Sequence, residues 1–244
     1  MPDLRCARTE ARRFGPARRA PVTLLELLTQ GDAASRVVAL LLLAMSVASW
    51  VVIAWKAWLL RRAAQDVARG IAAFWQSANL EQARQRVQAL DREALVLPLL
   101  EVAQAPAEAT LGASAGALHS LTRLLREALL AVLARLRHGQ VLLATVGSTE
   151  PFVGLLGTVW GIHHALVAIA SAGQITVERV AGPVGEALIM TAAGLAVAIP
   201  AVLAYNWFGR LIHDIELRLE GFAHDLCGLI AKGADPAPVS EGAL

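Results

Sequence analysis

One acidic side chain, Glu186, lies inside a long apolar run that covers residues 182–200. A charged carboxylate near the centre of a bilayer costs about 2.5–3.5 kcal/mol on insertion scales. The cost falls when the group is protonated, paired or facing a wet cavity, and a carboxylate that alternates between charged and neutral forms can relay protons across a membrane. We therefore expect Glu186 to be a proton relay, with a polar anchor between subunits as the alternative.

A second apolar run carries small residues three or four positions apart. They are Pro151, Gly154, Thr158, Gly161 and Ala165, with Gly157 beside them. Small side chains on one face allow a neighbouring helix to approach closely. Thr158 adds a hydroxyl, whose ordinary role is a hydrogen bond back to its own helix. Thr191 follows Glu186 by five residues, about 140° around an ideal helix, so the two share a face only if Pro183 or a neighbour distorts the helix.

Other candidate chemistry is weaker. Glu150 directly precedes Pro151, and we expect it to be a water-exposed carboxylate where the helix enters the membrane rather than a second relay site. The adjacent His163 and His164 point about 100° apart on a helix, which does not suit a shared metal. Cys6 and Cys227 are too distant in sequence to suggest a metal or disulfide framework.

Two enzyme signatures fail on their context. Neither Lys56 nor Lys232, the only lysines, follows a glycine, which excludes a phosphate-binding loop with Gly-Lys-Ser/Thr. Gly112-Ala-Ser114-Ala-Gly116 matches a hydrolase nucleophile elbow, but that elbow needs a strand-to-helix turn. We expect a flexible loop there, and we predict neither an enzyme nor a bound metal or cofactor.

Composition places these residues in a membrane protein. The chain has 244 residues, of which 56% are hydrophobic and 17% are charged, with a net charge of +2. Soluble domains have about 45–50% apolar and about 25% charged residues. The near-zero charge also gives no basic surface for a nucleic acid, so we expect no nucleic-acid partner.

Three segments are long and apolar enough to cross a bilayer, which needs about 20 residues of helix. They are residues 37–55, 138–177 and 180–209. Turn-forming residues between the last two predict a helical hairpin. The fold class that we predict is all-α, with three transmembrane helices and long helices that extend into the cytoplasm.

Orientation follows from the basic residues within about 20 positions of the span ends. Four lie on one side, Arg18, Arg19, Arg36 and Arg179, and ten on the other, Lys56, Arg61, Arg62, Arg69, Arg123, Arg126, Arg135, Arg137, Arg210 and Arg218. The second side should be cytoplasmic, which puts the N-terminus outside and the C-terminus inside. The arginine-rich first 20 residues suit translocation poorly, and they are either a disordered extension or a segment upstream of the true start.

Outside the spans, periodicity predicts three water-exposed helices. One continues from Arg61 to Leu97 and is broken by Pro98 and Pro106, and a second runs from about Ala117 into the second span. The third carries an apolar stripe at Leu211, Ile215, Leu219, Phe222, Leu226 and Leu229. We favour packing of that stripe on the other cytoplasmic helices over a separate docking site.

These elements predict six segments. They are an N-terminal extracytoplasmic tail (1–33), a first transmembrane helix (34–60), a cytoplasmic helical domain (61–138), a transmembrane hairpin that forms the channel core (139–209), an amphipathic helix (210–232) and a disordered tail (233–244).

The hairpin resembles the ExbB/TolQ/MotA proton-channel family, and most closely its ExbB-type members. The matching stretches are PFVGLLGTVWGI at 151–162 and GEALIMTAAGLAVAIPA at 185–201, followed by Tyr205-Asn206. The resemblance covers roughly residues 34–232. Glu186 matches the pore glutamate of the family, and Thr158 and Thr191 match its two polar threonines. Glu150 and His163 depart from the pattern, since a small or neutral residue is expected at the first position and a methionine is usual at the second.

The resemblance implies a homopentamer in the bacterial inner membrane. Its pore would enclose a single-span ExbD-like partner that carries a proton-binding aspartate, and a TonB-like transducer would pass work to outer-membrane transporters. Pro151, Gly154, Gly157, Gly161 and Pro183 would pack the helices and line the pore. The function implied is a proton-channel subunit that powers TonB-dependent import. Alternatives are the TolQ role in the Tol-Pal envelope system, a passive scaffold, and an intramembrane hydrolase that uses Ser114.

Overall fold

A computed structural model describes residues 33–104, 116–172 and 177–234, and every regular element within these ranges is an α-helix. In chain order the helices are α1 (Ala33–Trp75), α2 (Leu80–Leu90), α3 (Leu97–Gln104), α4 (Ala117–Arg137), α5 (Gln140–Ala172) and α6 (Val177–Ala234). Several earlier predictions fall outside the described residues. They concern the N-terminal tail, the Ser114 motif, the centre of the hairpin turn and the end of the C-terminal tail.

Three of these helices are long and apolar enough to cross a membrane. The candidate spans lie in Ala33–Trp75, Gln140–Ser171 and Val180–Ala231. With 43 residues in α1 and 58 in α6, both helices exceed the about 20 residues that a bilayer requires. The prediction of an all-helical fold with three helices that could span a membrane is confirmed within the described residues.

One compact unit comprises the described parts of Met1–Ala44 and Glu150–Ala196. It contains the start of α1, most of α5 and the first part of α6. Its small apolar core consists of Val38 and Leu42 from α1 and Met190 from α6, with Val153, Ile189 and Ala193 packed around them. This unit contains all the residues predicted to carry protons.

The second compact unit comprises the described parts of Met45–Thr149 and Val197–Leu244. Its apolar core draws on all six helices, and the rings of Phe74 and Phe222 meet edge-to-face with centroids 5.1 Å apart. Four members of the predicted stripe are buried there, namely Ile215, Leu219, Phe222 and Leu226, whereas Leu229 is 39% exposed. The stripe therefore packs on its own unit, as expected.

The helix predicted from Arg61 to Leu97 is wrong. α1 ends at Trp75. Asn79 is the N-cap of α2, and its side chain accepts a hydrogen bond from the backbone amide of Gln82. The carboxylate of Asp91 then accepts hydrogen bonds from the backbone amides of residues 95–97, at donor–acceptor distances of 2.7–2.9 Å. Pro98 is the second residue of α3 and does not break a helix, since proline is tolerated in a first turn, where its missing amide proton is not needed.

The helix predicted to run from about Ala117 into the second span also stops before that span. α4 ends at Arg137, and Gly139 has a φ of +80°, a left-handed conformation that glycine adopts at little cost. The buried ammonium of Lys56 donates hydrogen bonds to the carbonyls of Leu136 at 2.7 Å and of His138 at 2.6 Å. A cation is favourable at the end of a helix because the last carbonyls have no partner within the helix.

Candidate functional site

Two threonine hydroxyls meet where α5 packs against α6. The Oγ1 of Thr191 lies 3.1 Å from the carbonyl oxygen of Gly154 and 3.4 Å from the Oγ1 of Thr158. Thr158 donates to the carbonyl of Leu155 at 2.7 Å, which is the bond back to its own helix that the sequence predicted. Thr191 has one hydroxyl proton, so it donates either to the carbonyl oxygen of Gly154 or to the hydroxyl oxygen of Thr158. Thr158 can accept that bond because its own proton is donated to Leu155.

Glycines make this close approach possible. A Cβ added to Gly154 would lie 2.9 Å from the carbonyl oxygen of Met190 and 3.0 Å from the Cα of Thr191. One added to Gly161 would lie 2.8 Å from the Cβ of Ala187. All three distances are shorter than normal van der Waals contacts of a Cβ, so glycine at these positions lets the two helices come this close. The resulting contact brings Thr191 within reach of α5.

Gly157 faces two helices. A Cβ there would lie 2.6 Å from the sulfur of Met190 on α6 and 3.1 Å from the Cγ1 of Val38 on α1. Pro151, which lies inside α5, is partly buried, whereas Pro183 lies inside α6 and is exposed. The small-residue face of α5 thus lies against α6 and, at Gly157, also against α1.

Glu186 does not join the two threonines. Its side chain is exposed in the single chain, whereas Thr191 is partly buried against α5. α6 continues without a break through Pro183, so the five-residue spacing keeps the two side chains on different sides of the helix. In the described part of the chain, Glu186 makes no hydrogen bond with either threonine.

Glu150 is the residue that the sequence interpretation placed wrongly. It is fully buried, not exposed to water, and among the described residues neither carboxylate oxygen has a hydrogen-bond partner. The signal that could have revealed this is helical register. Glu150 precedes Gly157 by seven residues, which is about 20° short of two full helical turns. The two residues therefore lie on the same face of α5, the face that the other helices cover.

The histidines show no metal-binding arrangement. His163 and His164 are both exposed, and the ring centroid of His163 lies 6.1 Å from that of Trp160. Within residues 33–104, 116–172 and 177–234, no group of three or more His, Cys, Asp or Glu side chains could hold a metal ion. The chemistry of the described site is therefore that of hydroxyl and carboxyl groups next to apolar helices.

A model of the MotA/TolQ/ExbB proton channel family matches residues 78–221, which include α4, α5 and most of α6. This chain belongs to that family. The family consists of proton-channel and transport subunits and is not a known enzyme family. The chain is accordingly a membrane protein of the proton-channel type.

The individual relatives have two names, ExbB and TolQ. The ExbB biopolymer transport protein of Xanthomonas campestris pv. campestris (strain B100) is 42% identical over 220 residues, covering 84% of this chain and 85% of the relative. That of Neisseria gonorrhoeae is 51% identical over 102 residues, covering 42% and 46%. The Tol-Pal system protein TolQ of Haemophilus influenzae is 46% identical over 92 residues, covering 38% and 40%. The resemblance to ExbB-type members of the family is confirmed.

Proposed function

We propose that this chain is the ExbB-type subunit of a complex in the bacterial inner membrane that uses the proton motive force to power TonB-dependent import. The observation that carries the proposal is the 42% identity with the Xanthomonas ExbB over 84% of the chain. The similarity to TolQ covers 38% of the chain, so it includes less of the regions outside the hairpin.

Glu186 is the proton carrier in this proposal, and Thr158 and Thr191 are the hydroxyls of the pathway. Glu186 is exposed in the single chain, which leaves it available to line a lumen that several copies would enclose. A homopentamer would supply that lumen. Pro151, Gly154, Gly157, Gly161 and Pro183 would pack the helices and line the pore.

The partners follow from the same assignment. An ExbD-like subunit with a single span would occupy the lumen and carry the acid that exchanges protons with the pathway. A TonB-like transducer would pass the work to outer-membrane transporters. The distribution of basic residues supports a periplasmic N-terminus, cytoplasmic helices at 61–138 and a cytoplasmic C-terminus.

The driving force has a suitable size for moving a helix of the partner. One proton that crosses a potential of ~150 mV gains roughly 3.5 kcal/mol, because each 100 mV contributes about 2.3 kcal/mol per charge. Several protons could therefore drive a conformational step larger than the net strength of a few hydrogen bonds.

The proposal is tested with Glu186→Ala and Glu186→Gln in a strain that lacks its own copy of the gene. Both variants should abolish uptake of a ferric siderophore while leaving assembly intact, because neither side chain can exchange a proton. Glu220→Gln, on an exposed position of the same helix, is the matched control and should retain uptake. Full uptake by Glu186→Gln would instead support a passive scaffold, since an amide still forms hydrogen bonds.

The TolQ role is the second candidate because relatives with that name are 46–47% identical to the chain. Affinity purification from native membranes, followed by mass measurement, separates the two assignments. Recovery of a TonB-like transducer would support import, whereas recovery of a Tol-Pal component would overturn it. The mass of the intact complex also counts the copies of each subunit.

A further inference from the structure

Glu150 is a buried acid that the proposed proton pathway leaves unused. Its side chain is fully buried, and both of its oxygens lack a hydrogen-bond partner among the described residues. Buried carboxylates in proteins are normally neutralised by a cation or receive several hydrogen bonds, because an isolated charge is strongly disfavoured away from water. Among the residues that the structure describes, Glu150 receives no such hydrogen bond.

The surroundings of Glu150 explain its burial. The carbonyl oxygen of Glu150 would lie 2.9 Å from a Cβ added to Gly194, so the backbone of α6 lies directly against this turn of α5. By helical register, Glu150 lies on the same face of α5 as Gly157, the face that meets Met190 of α6 and Val38 of α1 at Gly157. The group is therefore covered by protein and does not depend on lipid for its burial.

In residues 33–44, 150–171 and 180–196 of the same unit, whose side chains the structure describes, no charged group donates a hydrogen bond to Glu150. The titratable side chains in these ranges, apart from Glu150 itself, are Arg36 on α1, His163 and His164 on α5, and Glu186 on α6. The two histidines follow Glu150 by 13 and 14 residues, which places them about 20 Å further along the helix. A bound proton neutralises a buried carboxylate without a partner side chain.

We propose that Glu150 carries a proton in the folded protein and is a second proton-binding site in the membrane region, separate from Glu186. One proton from water forms one O–H bond on the carboxylate, and the charge of the side chain changes from −1 to zero. Release of the proton would leave an unpaired charge between packed helices. Exchange of this proton therefore requires water to reach a group that the packed helices cover.

Infrared difference spectroscopy on the purified full-length complex tests this directly. At neutral pH, Glu150→Gln should remove a C=O stretching band of a protonated carboxylic acid from the wild-type spectrum. Glu186→Gln is the matched control, since Glu186 is exposed in the single chain and its replacement should leave that band in place. Loss of the two carboxylate bands in Glu150→Gln, with no change in the acid band, would overturn the proposal.

A second measurement covers the case in which Glu150→Gln does not assemble. The Glu186→Gln protein, labelled with carbon-13 glutamate at its carboxyl groups, should still show an isotope-shifted acid band at neutral pH. Absence of that band would equally overturn the proposal. The proton on Glu150 does not rest on the proposed function, whereas its use in transport does. The two can fail separately, because infrared spectra require no transport and siderophore uptake requires no acid band.

Discussion

The hydroxyl of Thr191 on α6 lies 3.1 Å from the carbonyl oxygen of Gly154 on α5. This bond connects the two helices that carry the matching family stretches, and it forms where glycine removes the side chain that would separate them. The two proposed pathway threonines are consequently positioned by backbone contact.

Thr191→Val should weaken the packing of α5 against α6. Valine keeps the shape of threonine but removes the donor, and hydrogen bonds between membrane helices contribute about 0.6 kcal/mol on average and up to about 1.7. Thr158→Val should cost less, because that hydroxyl donates within its own helix. Thermal unfolding in detergent, followed by circular dichroism, measures both. A larger loss for Thr158→Val would contradict the assignment, and Thr191→Ser should restore stability.

Gly154→Ala should destabilise the same contact by about 1–3 kcal/mol, because the new methyl group would overlap the backbone of α6. Gly221→Ala is the matched control, since no described atom lies within 4 Å of the place where its Cβ would be. That control should be neutral or more stable by up to about 1 kcal/mol, as alanine favours helix. Equal melting temperatures for the two variants would argue against close packing at Gly154.

Lys56→Met should destabilise the joint between α4 and α5. The substitution removes the donor to the carbonyls of Leu136 and His138, and an unsatisfied buried acceptor costs about 1–3 kcal/mol. Arg61→Met, at an exposed position of the same helix, controls for loss of charge. Hydrogen exchange should show faster opening of the end of α4 in Lys56→Met alone. Unchanged exchange there would show that the carbonyls find other donors.

Sequence periodicity predicted the long elements because continuous apolar runs and a regular stripe leave little choice of structure. It located the three spans and the buried positions Ile215, Leu219 and Phe222. Local breaks were harder to predict. Nothing in the composition near Asn79 is as strong as a proline, yet its side chain caps a new helix.

The candidate site was predictable only in part. The positions of Thr158 and Gly154 follow from the small-residue spacing, since that spacing defines a face. Glu150 was judged by its place next to Pro151 in the chain, and its burial depends on how α6 packs against α5. Its register with Gly157, seven residues further on, places it on the covered face of α5, but the register does not say how closely α6 approaches that face.

The buried position of Lys56 also bears on how the chain is inserted. This lysine was counted among the ten basic residues on the side predicted to be cytoplasmic, but its ammonium is bonded to two backbone carbonyls and is not a free surface charge. Without Lys56, nine basic residues lie on the side predicted to be cytoplasmic and four on the other side, and all of them are arginines. The charge difference that sets the orientation therefore comes from arginine alone. A lysine-to-methionine change at this position should therefore leave the direction of membrane insertion unchanged.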